Sequence, residues 1–99
     1  MAEKFDYCVV GAGIVGSAAA YLLARQGKSV ALLEQFEFGH DRGSSHGESR
    51  ITRYTYDFPN YVRMAKRAFP LWDEISKESG EQLYLKTGGL DLDVKGGKG

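Results

Sequence analysis

Cysteine occurs once in the 99 residues, at Cys8, and proline twice. A single thiol forms neither an internal disulfide nor a multi-cysteine metal site, so a stapled secreted scaffold is excluded, no metal is expected and a reducing compartment is favoured. Surplus charge is also missing, because thirteen Lys+Arg balance thirteen Asp+Glu. Nucleic acid and acidic membrane surfaces are bound mainly through excess Lys and Arg, so neither is an expected partner. An unbroken apolar run is the third absence. Tyr7 to Ala24 carries no charge and reaches the lower length limit of a membrane span, but Gly11, Gly13 and Gly16 divide it, and Glu3 and Asp6 stand where a signal peptide needs positive charge. A buried strand followed by a buried helix gives the same hydropathy. What is plentiful is glycine, with thirteen residues, nearly twice the roughly 7% of an average chain. Such a surplus suits a backbone that turns repeatedly or approaches a ligand closely.

Phe5–Val10 is a short, mostly apolar run that stops at glycine and reads as a first, parallel-type strand. Ile14 to Gln26 is rich in alanine and leucine, with Gly27 placed as a C-terminal cap, and predicts a helix. Ser29–Glu34 is a second compact apolar run, so the first third of the chain predicts a right-handed βαβ unit with parallel strands. Gln35 to Asp57 is polar and longer than ordinary α/β connections of roughly two to six residues. Within it Ser45-His46-Gly47-Glu48 matches a capping box, which predicts a helical turn from His46. Ile51–Tyr56, rich in β-branched and aromatic residues, suits an extended segment, and periodicity does not decide between the two. Pro59 opens a second predicted helix that runs to Ser79, with Tyr61, Ala65, Ala68, Trp72 and Ile75 at helical spacing. Met64 and Phe69 are also read as its core, and Pro70 predicts a kink. Leu83–Leu85 and Leu90–Val94 read as strands of a hairpin around Thr87-Gly88-Gly89.

The chemistry lies in Gly11-Ala12-Gly13-Ile14-Val15-Gly16. This is G-x-G-x-x-G placed between a predicted strand and a predicted helix. Gly11 permits the tight turn, Gly13 lets the backbone approach a pyrophosphate, and Gly16 lets helix and strand pack closely. The phosphates would sit at the positive end of the helix. Glu34 closes the second strand, where its carboxylate can accept from adenosine ribose hydroxyls and repel a 2′-phosphate. NAD and FAD both remain open on these residues.

The stretches FDYCVVGAGIVGSAAAYLLARQGKSVALLEQF and HDRGSSHGESRITRYTY, with the later Leu71-Trp72 and Lys86-Thr87-Gly88, resemble the N-terminal segment of the sarcosine oxidase family of FAD-dependent amine oxidases. RGSSHGESRI is far more specific than the glycine pattern. The resemblance implies an α/β fold in which the βαβ begins a Rossmann-like FAD-binding domain, followed by a loop, a kinked helix and a β-hairpin. It places Gly11, Gly13, Ile14, Gly16 and Glu34 on the ADP half of FAD, and Gly43, Ser44, Ser45 and His46 nearer the pyrophosphate and flavin. It sets Arg50 against the flavin ring and Arg53 on the substrate carboxylate, with His46 among the catalytic residues and Tyr56 beside the substrate. It further implies a secondary amino acid such as sarcosine or pipecolate as substrate, O2 as acceptor, hydrogen peroxide as product, a monomeric parent and a cytoplasmic or peroxisomal location.

Two parallel strands are too few to bury both faces of a sheet, so residues 1–99 are expected to form part of an FAD-binding domain, an incomplete fold that is inactive in isolation. The family's flavin-linking cysteine lies in a distant C-terminal segment. Cys8 is therefore read as a small packed hydrophobe of the first strand.

Overall fold

The computed structural model describes residues 2–96, which fall into two units, one ending at Arg50 and the other beginning at Ile51. In the first unit, β1 (Tyr7–Val10), α1 (Ile14–Arg25) and β2 (Val30–Leu33) follow in that order. The strands pair in parallel, with Tyr7 opposite Val30 and Val10 opposite Leu33, and α1 packs against both. The apolar run from Tyr7 to Ala24 is thus a strand, a glycine turn and most of a helix. No described helix is long and apolar enough to cross a membrane.

Short-range chemistry fixes the ends of these elements. Gly27 adopts φ 78°; its N–H donates to the Ala24 carbonyl at 2.9 Å and that of Lys28 to Leu23 at 3.1 Å. This is the Schellman pattern, which glycine permits because a left-handed residue must end the helix. The base of the sheet is tied by Asp6, whose carboxylate accepts from the Ser29 N–H at 2.8 Å and the Ser29 hydroxyl at 3.0 Å.

The second unit is built on α2 (Pro59–Ser79), which starts with proline in its first turn and closes on Gly80 at φ 73°. Pro70 lies inside it and removes the donor to the Lys66 carbonyl, yet the helix continues to Ser79. Val62, Ala65, Ala68, Phe69, Trp72 and Ile75 form its least exposed stripe. Tyr61 and Met64, expected in that stripe, are 53% and 65% exposed; Tyr61 lies on the same face but in the first turn of the helix, and Met64 at the edge of the stripe. Tyr54 stacks on Phe69 with ring centroids 4.2 Å apart, and Tyr84 meets Phe69 edge-on at 5.9 Å. The Tyr84 hydroxyl donates to Asp73 Oδ1 at 2.8 Å, and this bond to a carboxylate raises the phenol above its usual range.

The expected hairpin is not formed, since none of residues 82–94 belongs to a strand. A lone two-stranded hairpin is marginal in water. Here the Leu83 N–H turns to the Ser76 hydroxyl at 3.3 Å, and Leu90 and Leu92 remain 80% and 86% exposed with no apolar layer over them. The same shortage of covering layers corrects the reading of Cys8, which is exposed. Among the described residues Ala65 is the buried apolar side chain, as expected of an α/β fold that two strands leave incomplete.

Candidate functional site

Between β1 and α1 the chain makes a turn that only glycine tolerates. Gly11 sits at φ 101° and donates its N–H to the Leu33 carbonyl at 2.7 Å, which ties the turn to the end of β2. A Cβ added at Gly16 would lie 1.8 Å from the Gly11 carbonyl oxygen and 3.5 Å from Val9 Cγ1, so the helix reaches the strand only because that side chain is missing. Gly13 is the N-cap residue of α1, and the first helical turn contains no acidic residue. The first turn of a helix presents backbone N–H groups without intrahelical partners, and with no carboxylate competing for them they suit an anion.

The capping box read in Ser45–Glu48 does not form, and residues 42–50 contain no helix. The Ser45 hydroxyl instead accepts from the Ile14 N–H at 3.0 Å, thirty-one residues away. A distant helix end with an unsatisfied donor competes with the local motif and wins. His46 Nδ1 lies 2.6 Å from the Gly43 carbonyl oxygen, and Arg50 donates from Nη2 to the Ser44 carbonyl at 3.1 Å. Gly47, at φ 132°, makes room for the Arg50 guanidinium, since a Cβ there would lie 2.5 Å from Nη1.

Glu34 follows β2 and turns toward the glycine turn, its side chain 8% exposed. Oε2 accepts from the Ala12 N–H at 2.9 Å and Oε1 from the Phe36 N–H at 3.2 Å. His40 Nε2 lies 3.2 Å from Oε1. The donated Ala12 amide, then that of Phe36, hold the carboxyl below the usual glutamate range. A carboxyl whose folded value lies below its unfolded value of about 4.3 adds stability that is full above the unfolded value and lost as pH falls through the folded one. Urea midpoints of the chain and its Glu34→Gln variant should therefore differ by a constant amount above about pH 5 and converge in acid. A difference that does not vary with pH would contradict these bonds.

Gly11, Gly13, Glu34, Gly43, Ser45 and His46 line one cleft of about 330 Å³. Six site residues expected from sequence are therefore brought together. Ile14 and Gly16 stand at its helical edge, and Ser44 and Arg50 are joined to each other through the Ser44 carbonyl. Arg53 and Tyr56 belong to the second unit, where the Arg53 guanidinium carbon lies 5.0 Å from the Tyr56 ring centroid. Tyr56 in turn meets Tyr61 of α2 at 5.9 Å. The Ile51–Tyr56 segment is neither strand nor helix.

Residues 6–97 match the family model of FAD dependent oxidoreductases. The chain belongs to this FAD dependent oxidoreductase family. It is 47% identical over 89 residues to a probable sarcosine oxidase of Arabidopsis thaliana, covering 90% of this chain and 21% of that protein. It is 46% identical over 93 residues to the peroxisomal sarcosine oxidase of Homo sapiens, covering 94% and 24%. With the monomeric sarcosine oxidase of a Bacillus species (strain NS-129) it shares 44% over 98 residues, covering 98% and 25%. The chain thus spans about a quarter of the length of these curated relatives.

The donor set of the cleft fits the ADP part of the family's FAD. The bare glycine turn admits a phosphate close to the backbone, the start of α1 lacks a competing carboxylate, and Glu34 Oε2 keeps acceptor capacity beyond the Ala12 amide. Among the further residues of this oxidoreductase chain that line the cleft, Phe36, His40 and Arg42 were given no role in the sequence. Arg42 places its guanidinium carbon 4.7 Å from the Phe36 centroid, and His40 meets the same ring edge-on at 4.9 Å. They lie within the stretches that carry the family resemblance, but no role was read for them there. The available signal was a histidine and an aromatic within six residues of the acid that ends β2.

Proposed function

We propose that the protein carrying this chain is an oxidase of a secondary amino acid, of the sarcosine or L-pipecolate type, with O2 as acceptor and hydrogen peroxide as product. The observation that carries this reading is the likeness, over nine-tenths of the chain, to proteins named sarcosine oxidase, joined to a cleft whose groups suit ADP. Bound FAD supplies a two-electron acceptor for the C–H bond next to the substrate nitrogen, leaving an imine that water hydrolyses.

In this reading the residues of the chain bind and orient. Glu34 accepts from the ribose hydroxyls, and Gly11, Gly13, Ile14 and Gly16 bring the pyrophosphate to the positive end of α1. Gly43, Ser44, Ser45 and His46 form the loop over the pyrophosphate and flavin. Arg50 sets a positive charge against the ring, where negative charge builds on reduction. Arg53 holds the substrate carboxylate in its planar fork, with Tyr56 beside it, and fixing that carboxylate positions the reacting C–H bond. Support for a preset Arg50 comes from its anchorage on the Ser44 carbonyl and its seat against Gly47. The working protein is a monomer of the cytoplasm or peroxisome.

The test is peroxide release by the intact flavoprotein with sarcosine and with L-pipecolate, each at saturating O2. Turnover of one of them, with bleaching of the flavin absorbance in the absence of O2, is expected. Bleaching by NADH and by neither amine would point to a different reductive substrate and overturn the reading. The isolated 99-residue chain, given FAD, is expected to release no peroxide, acting at most as a dinucleotide-binding module. Its exposed apolar side chains favour that second reading for the chain alone.

A further inference from the structure

The chain contains two histidines, and their hydrogen bonds demand opposite tautomers. The Arg42 backbone N–H donates to His40 Nδ1 at 3.0 Å, so that nitrogen bears a lone pair and the ring proton sits on Nε2. His40 Nε2 faces Glu34 Oε1 at 3.2 Å, and a carboxylate oxygen accepts this proton. At His46 the partner of Nδ1 is the Gly43 carbonyl oxygen at 2.6 Å, which can only accept, so there the proton is on Nδ1. The edge-on contact with Phe36 fixes the plane of the His40 ring, and its side chain is 21% exposed. A loop amide, a neutral imidazole and a carboxylate therefore form one directed chain that ends at the nucleotide side of the cleft.

We propose that His40 is a positioning residue for the nucleotide: it donates from Nε2 to Glu34 Oε1 and so holds the carboxylate with Oε2 on the Ala12 amide and open to a ribose hydroxyl. The inference rests on the proposed role of Glu34 as ribose acceptor. The orienting logic is that of a histidine–carboxylate pair behind a ligand group, in which the outer partner fixes the orientation of the inner one. Without His40, Oε1 loses a donor beside that of Phe36, and the glutamate side chain regains rotamers that turn Oε2 away from the turn. The ligand class selected is a nucleotide with a free ribose diol, because a 2′-phosphate would meet a carboxylate held in its charged form.

Two measurements on the intact protein in its flavin-free form test this. The first needs no ligand: long-range proton–nitrogen correlation spectra should show His40 as the Nε2–H tautomer and His46 as Nδ1–H. His40 as Nδ1–H would overturn the proposal. The second is calorimetric titration with ADP and with FAD. His40→Ala should weaken both about tenfold, the scale of one hydrogen bond to a charged group. His40→Gln, whose amide nitrogen can take the place of Nε2, should restore binding, whereas His40→Asn, which keeps only an acceptor for the Arg42 amide, should not. A histidine that merely stabilises the loop gives the reverse order, and that order overturns the proposal. Glu34→Ala separates the two layers of inference. If it leaves ADP affinity unchanged, or if the unaltered intact protein binds no ADP, the ribose role of Glu34 fails and the proposal with it; if it weakens binding while His40→Ala does not, the role of His40 alone fails.

Discussion

Arg53→Ala in the intact flavoprotein is expected to raise the substrate KM about 100-fold and to leave FAD bound. A guanidinium holds a carboxylate through two parallel charge-assisted bonds. Losing both removes about 2.7 kcal/mol, which is two factors of ten. The expectation that flavin stays in place follows from the proposed roles, in which the glycine turn, Glu34 and the residues around them hold the nucleotide and Arg53 holds only the substrate. Because the proposed contact would be made in ground state and transition state alike, KM should move more than kcat. Arg53→Lys should fall between, since an ammonium keeps the charge and loses the fork. A KM within twofold of the unaltered enzyme would remove the carboxylate role.

Gly16→Ala is expected to unfold the first unit or to leave it unable to hold FAD. The added Cβ would lie 1.8 Å from the Gly11 carbonyl oxygen and 2.9 Å from its carbon. Both are backbone atoms, so relief requires lifting α1 away from the turn, at a cost of about 3 kcal/mol or more. Against a total stability of roughly 5–15 kcal/mol, that is a large fraction. Gly13→Ala is the informative contrast. Its nearest neighbour would be the Ser45 hydroxyl oxygen at 2.9 Å, which can rotate aside and sacrifice its bond to Ile14, at about 1 kcal/mol. Urea denaturation of the two variants should show a much lower midpoint for Gly16→Ala. Equal midpoints would mean that the close approach of helix and strand is not what requires glycine at position 16.

Much of this was legible in the sequence, for physical reasons that differ by element. The helix over Pro59–Ser79 matches its expected bounds because proline and glycine mark its two ends and both act locally. The first helix and the two strands fall within two residues of expectation, since apolar period and glycine placement are also local signals. The hairpin was misread because alternation in 83–94 states only which face would be buried, not whether a layer exists to bury it. The capping box was misread for a related reason: Ser45 satisfies its motif locally but answers to Ile14, and no short-range pattern encodes a partner thirty-one residues away. At the site, Glu34 was legible as an acid at the end of a strand. Phe36, His40 and Arg42 were not, because their roles arise from how the loop folds back on that acid.

The bond from the Ile14 amide to the Ser45 hydroxyl bears on what the cleft can discriminate. With that hydroxyl in place, at least this amide at the end of α1 is never bare, even before a ligand arrives. On the proposed reading, in which the pyrophosphate comes to this end of α1, a neutral oxygen already sits where an anionic one would compete. A ligand that merely offered another neutral acceptor would exchange one bond for an equal one and gain little. A phosphate brings full charge to a dipole that the hydroxyl leaves uncompensated. On that reading the serine would act as a placeholder that sets a threshold, so that selection at this end of the nucleotide would be for charge rather than for the capacity to accept a hydrogen bond.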